Sequence, residues 1–391
     1  MKKVLVILAV TSLLLILASC ATVRDRGELP QIIRLDREVV AEASRIASLP
    51  TGETATISIV DDTTFSVNED GAIVFHVAHM YDTSHSLHTG LLIFAEQVET
   101  RSNGTLLAEI HGNAIIGSDT ALVNMVNEGE LDAAIITIWG VWHPFTALAN
   151  FDSLPFVFTN YEEAWAAYEG TLGEWVAENV IEPHGAKSLG FWTNGMRHFT
   201  NNVRPIYTPA NMNGLNMRSP QIATHLEVYE ALGATSTSIP FDQLFTALAA
   251  DTIDGQDNPI GTIHASRLFE VQQYLSLSNH MYSAAPFIVS TNFWNSLSQE
   301  QQWILQESSL YAAREQGELA RTMEEHQLRE IRAAGVEVNN IAIYEFIPVI
   351  TPIWEDHISR FGNDFITIAS RYIADPMALA HYYSRPAAFQ R

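Results

Sequence analysis

IVFHVAHMYDTSHSLHTGLLIFAEQVETRSNGTLLAEIHGNAIIGSDTALVNMVNEGELDAAIIT, residues 73–137, decides the fold class of this chain. Ile73 to Val77 reads as a strand. Gly90 to Thr100 has helical spacing through Leu91, Leu92, Phe94, Ala95 and Val98. Asn103-Gly104 turns the chain into a strand from Leu106 to His111. Ser118 or Asp119 can cap a helix whose apolar face includes Leu122, Val123 and Val126. That helix ends at Glu128-Gly129-Glu130, and Leu131 to Thr137 is the next strand. Strands alternating with helices argue for parallel sheet covered by helices, an α/β fold. Further on, Ser298 and Gln301 form a capping box at the head of a helical pattern from Gln299 to about Ala334, stopped by Gly335. A helix of that length spans roughly 50 Å at 1.5 Å per residue. It is too long for one ordinary domain and is expected to bridge two.

The N-terminal end speaks to location. Lys2 and Lys3 precede an apolar run from Val4 to about Leu17, closed by Leu17-Ala18-Ser19-Cys20. The run is too short for an ordinary membrane span and reads as a signal peptide, residues 1–19. Small residues before a lone cysteine resemble a bacterial lipobox, which makes Cys20 the expected lipid anchor; a plain signal peptide is the other reading. Cys20 is the only cysteine, so no disulfide framework exists. Of 391 residues, 47% are hydrophobic, enough for two sizeable cores. The formal charge is −24 and becomes −26 without Lys2 and Lys3. Such a surface repels nucleic acid and anionic headgroups. It also opposes an anionic ligand unless arginines cluster locally.

Lysine and arginine number only 21, so their placement is informative. FWTNGMRHFTNN (residues 191–202) holds Arg197. GLNMRSP (residues 214–220) holds Arg218. PFDQLFTALAADTIDGQDNP (residues 240–259) holds Phe241 and Asn258. Period-two alternation puts Leu215 and Met217 on one face of a strand and Asn216 and Arg218 on the other. Pro220 ends that strand, leaving Arg218 near its rim. A guanidinium there offers two parallel donors to a carboxylate, a geometry lysine does not copy. Singly, each signal has a bland reading. Arg197, Arg204 and Arg218 read as surface ion pairs, Phe241 as core, and Asp254-Gly255-Gln256-Asp257-Asn258-Pro259 as a turn-rich loop.

In combination these segments resemble the solute-binding proteins of TRAP transporters, the DctP-type family. MRHFTNN, GLNMRSP, Pro240 to Leu248 (with Gln243 where glutamate is common) and DGQDNP match its motifs in order. NFDSLPFVFTNYEEA and the first helix, strand and turn quoted above match it further upstream. The resemblance runs from about residue 73 to 340; residues 21–70 and the tail after Ile341, with Trp354, Phe361 and Tyr372, lie outside it. It implies a two-lobed, periplasmic-binding-protein-like fold with a cleft between the lobes and a long helix spanning both. It assigns Arg218 to a ligand carboxylate, Arg197 as a second arginine, Phe241 as a packing residue and Asn258 as a ligand contact. His79 is a weaker candidate, because Ala78-His79-Met80-Tyr81-Asp82 stands where the family often has a small polar residue. It also implies a small organic acid as ligand, TRAP permease subunits as partners and an extracytoplasmic, periplasmic location.

The expected layout is a signal peptide at 1–19, a lipid-anchored tether and extension at 20–72, and lobe I at 73–194 plus about 283–320. Lobe II follows at 195–282 plus about 321–345, and residues 346–391 pack on the body. Within residues 21–70 a helix from Glu38 to Ala47 and a strand from Ala55 to Val60 are expected. Trp139, Trp142 and Trp192 are read as pocket-lining. His76, His79, His85 and His88 fall within thirteen residues, with Asp82 among them, and suit a metal in type. His76 lies in a strand whose neighbours alternate faces, so no metal and no cofactor is assigned. Asp61-Asp62 and Glu324-Glu325 read as solvated surface. No GxSxG, HExxH or phosphate-loop pattern appears, and no enzyme is expected. Two other readings stay open: a ligand sensor signalling to a membrane partner, and a secreted metal-dependent enzyme using the histidines.

Overall fold

A computed structural model describes residues 65–372 of the chain, except 70, 159 and 221. All of them belong to one unit, 59–391. The signal segment, Cys20, the elements expected between Glu38 and Val60, and the chain beyond Tyr372 lie outside the described residues.

The first alternation is present as read. Strand β1 (Ser66–Val67) and β2 (Ile73–Ala78) are followed by α1 (Ser86–Arg101), β3 (Leu106–His111), α2 (Asp119–Glu128) and β4 (Ala133–Ile135). β2 runs parallel to both β3 and β4. Two boundaries differ from expectation for a local reason each. α1 starts four residues before Gly90, because His85 Nδ1 accepts the Leu87 N–H at 3.2 Å and caps the helix there. β4 is three residues long, because Asp119 turns away from α2 and accepts both the backbone N–H and the hydroxyl of Thr137. That removes a ladder donor from the end of the strand.

The chain continues through α3 (Tyr161–Tyr168) and α4 (Thr171–Val176) into β5 (Ala186–Asn201) and β6 (Asn216–Ser219). Next come α5 (Ala223–Ala231), β7 (Thr235–Ser238), α6 (Phe241–Ala249), β8 (Gly255–Pro259) and α7 (Ile260–Ala265). The remainder is β9 (Tyr274–Ser290), α8 (Thr291–Ser296), α9 (Gln299–Ala333), β10 (Glu337–Asn340) and α10 (Ile343–Tyr372). The strand order is β1-β2-β4-β9-β5-β8-β6-β7, with β3 beside β2 and β10 beside β9.

The long strands β5 and β9, of 16 and 17 residues, organise this sheet. They pair antiparallel from Ala186↔Ser290 to Asn201↔Tyr274, with three register shifts along the way. The C-terminal end of β9 carries β4 and, through it, β2 and β3. The C-terminal end of β5 carries β8, then β6 and β7. Two ladders are thus built on opposite ends of one crossing pair, and the fold is two-lobed α/β.

One reading is corrected here. Asp254 to Pro259, read as loop from its turn-forming residues, is β8 from Gly255 onward, an internal strand between β5 and β6. Its pairing with β5 overrides local turn preference. Gly255 serves close backbone approach, since a Cβ there would stand 2.1 Å from the Thr200 carbonyl oxygen.

Helix α9 is 35 residues long, and both halves of its Ser298–Gln301 capping box form. It ends before Gly335, whose φ of 98° is the left-handed conformation glycine takes freely. Along the way its Gln316 bonds both the N–H and the carbonyl of Thr193 on β5, at 3.0 and 2.8 Å. Near its end Glu330 pairs with His264 of α7 at 2.7 Å. The helix therefore touches both ladders.

Three apolar clusters form the core. One gathers Phe75, Phe94, Trp192 and Phe287; a smaller one gathers Leu244, Leu248, Ile263 and Ile331. The largest includes Trp142, Phe156, Tyr229 and, from α10, Phe346, Ile350 and Trp354. Each such side chain buried from water contributes about 1.5–3 kcal/mol, which fixes the start of α10 on the body. Among the described residues no helix is long and apolar enough to cross a membrane.

Candidate functional site

β5, β6 and β8 carry the arginine segments into one buried region. Arg197 on β5 and Asp257 on β8 form an ion pair, Nε to Oδ2 at 2.5 Å, with both side chains buried. Arg197 Nη2 also donates to the Asp257 carbonyl. Asp257 is the hub of this region. Tyr229 donates its hydroxyl to Oδ1 at 2.5 Å, and His280 Nε2 lies 3.3 Å from Oδ2. His225 Nε2 is 3.7 Å from the same oxygen. Arg218 on β6 is also buried, at 4% exposure. Its Nε donates to the Ile239 carbonyl at 2.8 Å, and among the described residues no carboxylate lies in ion-pair range of it.

Electrostatics separate the two arginines. Burial alone would raise Asp257, but Arg197 and the neighbouring His225 and His280 hold it well below the ordinary carboxylate range. Burial opposes the charge of Arg197, and Asp257 more than restores it. For Arg218, burial and the repulsion of Arg197 together lower the guanidinium to about 10. His225 and His280 are lowered by burial, His280 to about 4, so both are neutral at pH 7. Asp152, whose Oδ2 accepts the Gly140 N–H at 3.0 Å, is raised by burial well above its usual value. Two guanidinium charges face one carboxylate. Arg218 is the guanidinium left without an ion-pair partner among the described residues, and a buried uncompensated ion costs several kcal/mol.

The other expected residues divide. Phe241 opens α6 and contacts two of the three apolar clusters. Its ring meets Tyr81 edge-on, with centroids 5.7 Å apart and planes at 82°. Tyr81 stacks on His85 at 4.1 Å, and its hydroxyl is bonded by Asn194 at 3.2 Å and Thr262 at 3.3 Å. The loop after β2 and the head of α6, one from each ladder, thus meet beside the arginines. Asn258 lies on β8 and donates to Gln256 Oε1 at 2.5 Å; alternation along β8 turns it to the face opposite Asp257. His79 is buried against His88, Nε2 to Nδ1 at 2.9 Å, and its pKa falls to about 3 through burial and the charge of His88. Its bonds and charges connect it to His88 and Asp82, and none of them reaches either arginine.

Trp192 and Trp142 are core residues. Trp192 bonds Ser309 at 3.2 Å and packs edge-on against Phe287, and Trp142 lies in the largest apolar cluster. The Trp139 side chain lies outside the described part of the molecule. Arg204, on the chain after β5, donates to the carbonyls of Asn211 and Asn213 and takes no part in the site.

Asp257, Tyr229, His225, His280 and Tyr81 are site residues that reading the sequence missed. Asp257 and Tyr81 stood inside quoted segments, yet a short acidic turn and a loop tyrosine carry no mark of burial. Tyr229, His225 and His280 arrive from α5 and β9, and only the pairing of β5 with β8 and β9 brings them to Asp257.

Comparison with known proteins concerns the chain as a whole. Residues 77–360 match the family model described as bacterial extracellular solute-binding protein, family 7. The match extends about twenty residues past the end of the resemblance traced in the sequence. An uncharacterized protein, y4mM, of Sinorhizobium fredii is 31% identical over 252 residues, which are 64% of this chain and 45% of that protein. The chain thus spans about half the length of that relative. The 2,3-diketo-L-gulonate-binding periplasmic protein YiaO of Escherichia coli is 28% identical over 260 residues, 66% of this chain and 79% of that one. The crystal structure of the sugar acid binding protein DctPAm from Advenella mimigardefordensis, in complex with galactonate, superposes with a TM-score of 0.71 at 26% identity. It covers 80% of this chain and 98% of that one.

Proposed function

Because the chain belongs to the bacterial extracellular solute-binding proteins of family 7, we propose that it captures a small organic acid between its two lobes and delivers it to a TRAP-type membrane permease. The observation that carries this reading is Arg218, a buried guanidinium without a carboxylate partner among the described residues, beside an arginine already neutralised by Asp257. One unpartnered guanidinium calls for one carboxylate. A monocarboxylic sugar acid fits better than a dicarboxylate, in line with the galactonate and diketogulonate named for two relatives.

In this reading Arg218 grips the carboxylate in a bidentate pair. Arg197, held by Asp257, supplies field and its remaining donor capacity. Phe241 packs on the ligand and Asn258 donates to its polar part, while His79 shapes the wall behind Tyr81. A ligand touching both lobes binds the closed form better and shifts the population toward it. Lobe I comprises 73–194 and about 283–320 and lobe II 195–282 and about 321–345, with 346–391 as a C-terminal extension. Cys20 carries lipid and tethers the receptor outside the cytoplasmic membrane. The neutralised surroundings of the arginines are suited to binding rather than to turnover.

The test is a calorimetric titration of the purified body, residues 21–391, with aldonates and uronates, their neutral aldoses and a C4 dicarboxylate. Binding of a sugar acid that vanishes for its neutral aldose and in Arg218→Ala supports the reading. Tighter binding of a neutral sugar, or unchanged affinity in Arg218→Ala, overturns it.

A further inference from the structure

The outer edge of the first ladder holds a second cluster, away from the arginines. His76 on β2 stands beside Glu109 on the edge strand β3, the two residues being register partners. His111 follows two residues along β3, so alternation puts all three on one face of the sheet. His76 Nδ1 lies 3.0 Å from His111 Nε2 and 3.5 Å from Glu109 Oε2. Among the described residues this is the one group of three or more His, Cys, Asp or Glu whose donor atoms lie within 4.8 Å of one another.

We propose that His76, Glu109 and His111 form a binding site for a divalent transition-metal ion of the zinc class. Zinc takes nitrogen and carboxylate oxygen at about 2.0–2.2 Å, so neighbouring corners of its tetrahedron are about 3.3 Å apart. The observed 3.0 and 3.5 Å bracket that edge. Two imidazoles and one carboxylate are a ligand set chosen by zinc, copper and nickel over calcium or magnesium. Both strands present their donors from regular, paired backbone, so little ordering is required on binding. The His76 and Glu109 side chains are 19% and 58% exposed, which leaves an entry path and a fourth position for water. The N–H that lies between the two imidazoles shifts to the remote nitrogen of its own ring when a metal takes its place, so both histidines bind as neutral ligands. The run His79, His85 and His88 does not build such a site: His79 and His88 bond each other, and His85 caps α1 while stacking on Tyr81. The sequence reading assigned no metal because it weighed that run and not the neighbouring strand.

The site ties β3 to β2 just before β2 enters the loop carrying Tyr81, so metal binding stabilises the lobe without touching the arginines. The experiment uses untagged protein stripped with chelator and titrated with zinc chloride, followed by calorimetry, elemental analysis and thermal unfolding. Expected are one zinc per chain, a Kd of about 1 μM or tighter, and a melting temperature about 3–4 °C higher at a hundredfold excess over Kd. His111→Ala and Glu109→Gln each weaken zinc binding more than about tenfold, and both keep wild-type sugar-acid affinity, which reports an intact fold. Binding only at millimolar zinc, or affinity unchanged in both variants, overturns the proposal. So does affinity lost instead in His88→Ala. Because the readout is zinc stoichiometry, it stands apart from the outcome of the sugar-acid titration.

Discussion

Arg197 and Asp257 meet across the β5–β8 ladder at 2.5 Å, wholly buried, and their union leaves Arg218 as a cation with no anion of its own among the described residues. If the arginines hold the ligand as proposed, Asp257 belongs to the same site, because it neutralises one of them.

Removing the guanidinium should separate binding from stability. Arg218→Ala is expected to lose about 2–5 kcal/mol of sugar-acid affinity, the usual loss on truncating one partner of a buried charge pair. Ligand-free stability should stay level or rise, since a desolvated cation disappears. Calorimetry and urea unfolding of the same preparation check both. A large fall in ligand-free stability with affinity intact would assign Arg218 to the scaffold.

Asp257→Asn should do the reverse. It leaves Arg197 buried without its counter-charge, an arrangement that costs about 3–5 kcal/mol. Urea unfolding of the ligand-free variant measures this, and an unchanged midpoint would refute the hub role.

Acid should weaken the fold well above the carboxylate range. His79 and His85 titrate at about 3 and His280 at about 4 in the folded chain, lowered chiefly by burial from about 6.5. The unfolded state therefore binds more protons below pH 6.5, so stability falls from there toward the folded values. Each histidine costs roughly 2 kcal/mol by pH 5 relative to pH 8. Asp119 acts in the opposite sense: burial raises it to about 6, so its penalty is felt at high pH and recedes on acidification, returning roughly 1 kcal/mol by pH 5. Asp257, depressed in the fold, stabilises above its unfolded value and loses that contribution only at still lower pH. Denaturation curves from pH 8 to 5 should show the net loss, with a shallower slope in His280→Gln. A flat profile would exclude buried neutral histidines.

Closure should depend on Phe241. Its edge-on contact with Tyr81 joins the two ladders; Phe241→Ala should cost about 1–3 kcal/mol of affinity from lost area and aromatic contact. Stopped-flow measurement should place the change in the dissociation rate. Equal loss in the association rate alone would argue against a closing contact.

How much was legible follows from where the physics is local. The capping box at Ser298 and Gln301 and the stop at Gly335 are decided within one helical turn, and α9 came out within a residue. The alternation from Ile73 to Thr137 set the first ladder for the same reason. β8 was misread because Gly255, Asp257, Asn258 and Pro259 favour turns, while its strand state comes from β5, more than fifty residues away. Arg197, Arg218 and Phe241 were proposed from motif order, and the fold brings their segments into one region. The Asp257 hub was hidden because its partners sit on α5 and β9 and burial leaves no local trace. His79 was proposed from its loop alone, and its bond to His88 is a contact that no local pattern reveals.

The crossing of β5 and β9 has a consequence for how this chain can fold. Residues 186–201 meet residues 274–290 along their whole length, so each ladder needs strand from both halves of the polypeptide. Neither lobe can be completed by a nascent chain that stops before Ser290, and neither is excisable as a contiguous fragment. Pairing over such sequence separation makes folding slow and cooperative. Export of such a chain in an unfolded state would leave both lobes to be completed only after the β9 segment has emerged.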